Sequence, residues 1–186
     1  MARLYTYGNL KDINTIPNQN ALPGTLVGAW GVRLIAQAFK GSDGIEFGEV
    51  VELTQTEAGK AYTIARVDGS TVASKLGVIV RDVVGATFIG AGIVEAPKDS
   101  VPVSVMPFGA ETHFPIVVPL AGSQTPAVGG KVYIGLGTGA TVAGAVYATA
   151  QGAGGVDSID SGWVFGSLKF KPTTSTGECA VIAKAL

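Results

Sequence analysis

The sequence predicts an all-β fold: a barrel or sandwich of short antiparallel strands, at most one short helix, and an extended N-terminal arm. Three observations predict it. From residue 41 onward apolar residues recur with period two, the spacing of a pleated strand. The stretches between them are rich in Gly, Pro and Thr, the residues of turns. Glycine supplies 27 of 186 residues, about twice the roughly 7% usual in proteins, and that abundance works against helices.

Residues 1–43 are expected as the arm. They carry Asn9, Asn14, Asn18, Asn20, Pro17, Pro23 and Gly24 with no sustained period. They also carry Leu4, Tyr5, Tyr7, Leu10, Ile13 and Ile16, more apolar surface than a solvated tail usually holds. Two readings stay open. One is an edge strand and loop packed on the chain's own domain; the other is an arm that orders on a neighbouring subunit. Gly28 to Lys40 is the best helix candidate, through Val32, Leu34, Ile35, Ala36, Ala38 and Phe39. A run this short reads equally well as a strand.

Residues 44–120 are expected as a first β unit. Ile45, Phe47, Val51 and Leu53 share one face, and Glu49 beside Gly48 interrupts the alternation, which predicts a bulge or an edge charge. Ala61 to Val67 is β-prone and runs into Asp68-Gly69, a hairpin signal. Leu76 to Val83 is the next strand. Val101 to Met106 alternates, and Pro102 predicts an edge position because it cannot donate to a ladder. Phe114 to Pro119 is extended between prolines.

Residues 121–186 are expected as a second unit, the two together forming either separate domains or one composite domain. Lys131 to Ile134 follows Gly129-Gly130 as a strand. Gly162 to Lys171 is a strand with Trp163 and Phe165 on one face, both read as core, and Val164, Leu168 and Phe170 on the other. Cys179 to Leu186 closes the chain. Phe47-Gly48-Glu49-Val50-Val51 followed by Leu76-Gly77-Val78-Ile79 is faintly echoed by Gly129-Gly130-Lys131-Val132-Tyr133 followed by Phe165-Gly166-Ser167-Leu168.

Composition excludes several classes of function. Lys+Arg is 13 and Asp+Glu 14, a net charge of −1, so the Lys/Arg surplus that neutralises phosphates is missing and no direct nucleic-acid partner is expected. Charged residues are 15% of the chain against roughly 25% in ordinary domains. With 47% apolar residues and a mean hydropathy of +0.39, the chain can bury a core but keeps little charged surface, as suits a protein whose faces are covered by partners. The single cysteine, Cys179, allows no disulfide framework. The N-terminus has no apolar signal-peptide core. The charge-free run between Lys131 and Asp157 is long enough to span a bilayer, but its many glycines and threonines make a poor membrane helix, and no membrane partner is expected.

Catalytic chemistry is thin. His113 is the one histidine, so any Ser-His-Asp or Cys-His arrangement must use it, and no Gly-x-Ser-x-Gly elbow occurs. One His and one Cys make no zinc site without two carboxylates, and no metal site is expected. Asp157 and Asp160, with Ser158 and Ser161, could form an oxygen-rich cation site but read better as a solvated loop. Gly135-Leu136-Gly137-Thr138-Gly139-Ala140 matches the dinucleotide fingerprint, with Asp157 downstream. That chemistry needs a helix N-terminus at the pyrophosphate. The residues after this run are too Gly-rich for a helix, so it reads as a hairpin and no cofactor is expected. Acidic residues are scattered singly. Glycosidase pairs converge only in space, so a small hydrolase or carbohydrate-binding domain remains a residual reading.

Several segments in order carry a resemblance. They are Gly44-Ile45-Glu46-Phe47-Gly48-Glu49-Val50-Val51, then Ser74-Lys75-Leu76-Gly77-Val78-Ile79-Val80-Arg81-Asp82-Val83, then Ala96-Pro97-Lys98-Asp99-Ser100-Val101-Pro102-Val103-Ser104-Val105. Val128-Gly129-Gly130-Lys131-Val132-Tyr133 and Gly177-Glu178-Cys179-Ala180-Val181-Ile182 complete the set. The succession, over residues 44 to 186, resembles the head decoration, or cement, proteins of tailed bacteriophages. Each motif alone is little more than a strand with a glycine; order and spacing carry the likeness.

The resemblance implies a non-enzymatic virion protein on the outer surface of the capsid, made in the host cytoplasm and bridging adjacent capsomers. It implies the major capsid protein as partner, and self-assembly as a homotrimer or, less in keeping, a homodimer. Leu4, Tyr5, Tyr7 and Leu10 are the expected arm anchors, with Trp30 and Phe39 after them, because aromatic and large apolar side chains dominate interface energetics. The competing reading is another phage virion β-module, such as a tail-tube or fibre-base protein.

Overall fold

The structure, a computed structural model, describes residues 23–26, 36–40, 45–54, 62–80, 88–89, 93–94, 102–109, 114–172 and 177–185. Among the described residues twelve strands succeed one another: β1 (Ala36–Lys40), β2 (Val50–Thr54), β3 (Tyr62–Arg66), β4 (Leu76–Ile79), β5 (Phe88–Ile89), β6 (Ile93–Val94), β7 (Pro102–Pro107), β8 (Ile116–Pro119), β9 (Lys131–Gly135), β10 (Val146–Tyr147), β11 (Ser158–Phe165) and β12 (Cys179–Lys184). Among the described residues the helical content is two 3-10 turns, Ala73–Lys75 and Ala153–Gly155. The expected all-β class is what the chain adopts.

The first sheet is a closed barrel in the order β1-β3-β2-β4-β7. β1 closes it by pairing parallel to β3 on one side and antiparallel to β7 on the other. Ile45, Phe47, Val51, Leu53, Ile64, Ile79 and Val105 form one buried cluster, so the four residues read as one face do meet. Space inside is so tight that a Cβ on Gly77 would stand 2.7 Å from Leu53 Cδ1 and 2.9 Å from Val105 Cγ1. A short β5–β6 pair stands as a separate ladder.

The second sheet runs β10-β9-β11-β12-β8, and a single Leu120–Val146 bridge joins its two ends. The barrel wall packs on one face of it. Val50, Leu76, Val78, Met106 and Phe108 from the barrel meet Ile116, Val118, Val132, Ile134, Trp163, Phe165, Ala180 and Ile182 from the sheet in one cluster. At its centre Phe108 stacks on Trp163 with ring centroids 4.5 Å apart, and the indole Nε1 donates to the Phe108 carbonyl at 3.4 Å. Trp163 and Phe165 are core, as expected. A bulge between Asp160 and Val164 interrupts the β11–β9 ladder. Within it Ser161 Oγ donates to the Val132 carbonyl at 2.8 Å and accepts from the Trp163 amide at 3.2 Å. That pair of bonds satisfies buried polar atoms where the ladder fails. On the other face Phe170 packs over Val117, Cys179 and Val181.

Several local expectations are corrected. Asp68-Gly69 does turn the chain, but β3 and β4 do not pair with each other; β2 lies between them. The turn is fixed by its own polar groups, the Asp68 carboxylate accepting from the Ser70 amide and hydroxyl, each at 2.7 Å. Thr71 Oγ1 then donates to Glu52 Oε2 at 2.6 Å, so the connection is tied to β2 as it passes to β4. Pro102 does not mark an edge strand: β7 has a neighbour on each side, and the proline is tolerated as its first residue.

Gly48 and Glu49 form a turn ahead of β2 rather than a bulge. The Glu49 amide donates to the Glu46 carbonyl at 3.2 Å, and Gly48 holds φ +80°, the third-position conformation of a type II turn. The strand expected at Gly162 to Lys171 begins earlier, at Ser158, and ends at Phe165. Within Gly28 to Lys40, Ala36–Lys40 is a strand. Thus a barrel strand falls inside the segment expected as arm, and β8, expected with the first unit, hydrogen-bonds to β12 in the second sheet.

Candidate interaction surface

From Val132 to Val156 no residue is charged. Two loops of this run, 136–145 between β9 and β10 and 148–157 between β10 and β11, project from one end of the second sheet. Gly137, Thr138, Gly139, Ala140, Gly152 and Ala153 are exposed on them. Val142 is 59% and Val156 68% exposed. The fingerprint-like run at Gly135 therefore lies in a β9–β10 hairpin, as read, and β10 rather than a helix follows it.

One residue, Asp157, ties both loops together through its side chain and its backbone. Asp157 Oδ1 accepts from Thr138 Oγ1 at 2.8 Å, and its backbone carbonyl accepts from the Leu136 amide at 3.0 Å and Thr141 Oγ1 at 3.1 Å. Its amide donates to the Gln151 carbonyl at 3.1 Å, and the Gln151 amide donates to Ser158 Oγ at 2.8 Å. A Cβ on either Gly139 or Gly152 would stand 2.4 Å from Asp157 Oδ2. Glycine at both places lets two backbones close on one carboxylate.

The hairpin also touches the barrel. The Val50 amide donates to the Gly144 carbonyl at 3.3 Å, and a Cβ on Gly69 would lie 3.5 Å from Thr138 Cγ2. The loops are thus braced from two sides and present an uncharged, small-residue surface. Ion pairs stand elsewhere: Arg66–Glu49 at 3.8 Å, Lys75–Glu52 at 3.4 Å and Lys169–Glu178 at 3.0 Å.

A second feature lies on β8. The Gly24 amide donates to the Val117 carbonyl at 2.7 Å, the Val117 amide donates to the Thr25 carbonyl at 3.0 Å, and Leu26 bridges Ile116 in antiparallel sense. Pro23 to Leu26 is therefore a short strap along the β8 edge opposite β12, with Leu26 against the main core. This stretch packs on its own chain, while residues 1–22, on which both readings of the arm turn, lie outside the described residues.

The expected interface residues fall in different places. Leu4, Tyr5, Tyr7, Leu10 and Trp30 lie outside the described residues, as does His113. Phe39 is in β1, its backbone opposite Thr63 of β3 and Pro102 of β7. Asp157 and Asp160 do not converge. Asp160 pairs with Lys131 at 2.7 Å and accepts from the Gly162 amide at 3.0 Å. The Lys131 ammonium, with that amide, holds the Asp160 carboxyl below its usual range. Among the described residues no three His, Cys, Asp or Glu side chains are grouped to hold a metal ion, and no helix is long and apolar enough to cross a membrane.

The sequence reading missed the joining role of Asp157. The signal for it was a lone carboxylate closing a glycine-rich, charge-free run. It also missed β10, whose two residues are too few to show a period.

No family model matches the chain, and no curated protein matches it. Among solved structures, a chain of the capsid of Myoviridae phage XM1 is similar, with a TM-score of 0.54 and 20% sequence identity. The similarity covers 87% of this chain and 88% of that one. What the two chains share, over nearly their full lengths, is the fold.

Proposed function

We propose that the chain is a structural virion protein of a tailed bacteriophage, binding the outer surface of the head and bridging neighbouring capsomers against the outward push of packed DNA. The observation that carries this reading is the fold shared with the phage capsid chain across nearly the whole length of both. The uncharged loop surface supports it, since interfaces are depleted of charge at their centres. The mechanism is mechanical rather than catalytic. A clamp bonded to two capsomers raises the free energy of separating them. Each contact can be modest, because a closed oligomer touching several subunits gains by effective concentration. Leu4, Tyr5, Tyr7 and Leu10 anchor the arm to the shell in this reading, and strand addition is the fitting contact mode for an extended segment.

The test is to mix the protein with expanded heads that lack it and image them by cryo-electron microscopy. Extra density outside the shell at capsomer boundaries is expected. Bare heads at saturating protein overturn the reading. Stacked rings or filaments formed by the protein alone favour a tail-tube role instead.

A further inference from the structure

The barrel and the second sheet share one connectivity. In chain order the first uses β1, β2, β3, β4 and β7, and the second uses β8, β9, β10, β11 and β12. Their neighbours correspond strand for strand: β1-β3-β2-β4-β7 against β8-β10-β9-β11-β12, where the Leu120–Val146 bridge sets the end of β8 beside β10. The senses agree as well. β1–β3 and the Leu120–Val146 bridge are parallel, and every other neighbouring pair in both is antiparallel.

The registers coincide residue by residue. Val105 pairs with Ala36 and Ile79, as Ile182 pairs with Ile116 and Phe165. Val50 pairs with Val78 as Lys131 pairs with Val164. Ile64 pairs with Leu53 and Lys40, as Val146 pairs with Ile134 and Leu120. Bonds outside the ladders follow suit. The Gly48 amide donates to the Ile79 carbonyl at 2.8 Å, and the Gly129 amide to the Phe165 carbonyl at 2.8 Å. The Val80 amide donates to the Ser104 carbonyl at 2.9 Å, and the Gly166 amide to the Val181 carbonyl at 2.8 Å. Gly48 and Gly129 each hold φ +80°. The counterpart of Gly77–Ile79 is therefore Trp163–Phe165. The second set departs at the Asp160–Val164 bulge, and the β5–β6 ladder of the first has no counterpart among the described residues.

We infer that the chain is one barrel unit built twice in tandem, over 36–107 and 116–184, and that the joint between the copies is a subunit-type interface carried inside one chain. The wall of the first copy takes the second copy as its partner. Short strands can be connected in many ways, so agreement in order, sense and register at every shared pairing, including a parallel pair at the same place, is the mark of one repeated unit. The copies differ most where they meet. Gly77 in the first is replaced by Trp163 in the second, and Trp163 stacks on Phe108 across the joint. Val50 is buried in the joint, whereas Lys131, at its place in the second copy, is exposed. The inference concerns the chain alone and stands independently of head binding.

Cutting the folded, full-length chain tests it. A site-specific protease sequence is inserted after Gly109, between the copies, or after Gly122, which leaves β8 on the first piece. Both glycines are exposed with nothing within 4 Å of an added Cβ, so the insertions are matched. Isotopically labelled and unlabelled cut protein are mixed, and exchange of pieces is followed by native mass spectrometry. Pieces cut after Gly109 part by opening the joint and lifting Pro23–Leu26 from β8. Pieces cut after Gly122 must open the joint and also break the β8–β12 ladder. Both cut proteins are expected to stay associated, with exchange about tenfold or more faster after the Gly109 cut. Equal or slower exchange there assigns β8 to the first unit and overturns the inference. Loss of the fold on cutting after Gly109 overturns it too, because the joint then cannot hold two units together.

Discussion

The barrel and the second sheet hold themselves together differently. The barrel has an interior of its own, the cluster around Val51, Ile64 and Ile79, and its wall packs outward on the sheet as well. The sheet's inward face packs on the barrel wall, and Phe170 covers part of its other face. The barrel's turns are tied by charged groups such as Asp68, Glu49 and Glu52. The sheet's projecting loops carry a single carboxylate, Asp157, and are otherwise neutral. Each half is therefore open to change in a different place. The barrel tolerates little inside, and the sheet depends on its joint to the barrel while its loops are free to present a surface.

The joint gives the largest expected effect. Trp163→Ala removes the ring that stacks on Phe108 at the centre of the shared cluster, where Trp163 is 2% exposed. A loss of about 3–5 kcal/mol is expected from deleting so large a core side chain. Urea unfolding followed by circular dichroism measures it. A single transition that moves to lower urea says that barrel and sheet fold as one unit. Two separated transitions would mean that one of the two, barrel or sheet, is stable without the other.

Gly77 tests the barrel alone. Its strand partners leave no room for a side chain, and Gly77→Val is expected to cost about 1–3 kcal/mol through overpacking. The same substitution at Gly109, where nothing lies within 4 Å of an added Cβ, is the matched control and is expected to be nearly neutral. Equal costs at the two sites would mean that the barrel interior is softer than its packing implies.

Asp157 tests the loops. Asp157→Ala removes the acceptor of the Thr138 hydroxyl and the side chain on which Gly139 and Gly152 close. A cost of about 1–2 kcal/mol is expected for a partly buried hydrogen-bonded group. Amide exchange should quicken in 136–145 and 148–157 and stay unchanged in β3 and β4. Faster exchange in the barrel as well would show that the hairpin braces more than its own sheet.

How much of this was legible beforehand depended on whether a segment carried its own signal. Leu53 and Ile64 alternate with polar or small neighbours, so the barrel strands were readable from period two. Trp163 and Phe165 were readable as core for the same reason. Pairing was less legible. Asp68-Gly69 reads as a hairpin because local sequence cannot say that a third strand, β2, will lie between the flanking ones. β1 was ambiguous because its five residues are set by partners far along the chain, at β3 and β7. The candidate surface was legible as an absence of charge from Val132 to Val156, whereas its organisation around Asp157 depends on close approaches that exist only in three dimensions.

Cys179 offers a finer probe of the second sheet, acting through pH rather than through volume. It is fully buried on β12 beside Val117, Val181 and Phe170, and burial pushes its thiol up from 9.0 to about 12. The folded chain therefore keeps the proton where the unfolded chain releases it. A group whose folded value is raised contributes stability that is whole below the unfolded value and lost as pH rises towards the folded one. Between pH 9 and about 12, wild type should lose stability by about 1.4 kcal/mol per pH unit more than Cys179→Ala, which has no thiol to titrate. Below pH 8 the two slopes should coincide. Denaturation midpoints of the two proteins across that range measure the difference. Parallel curves throughout would mean that water reaches the thiol, and that Phe170 does not cover it as the packing requires.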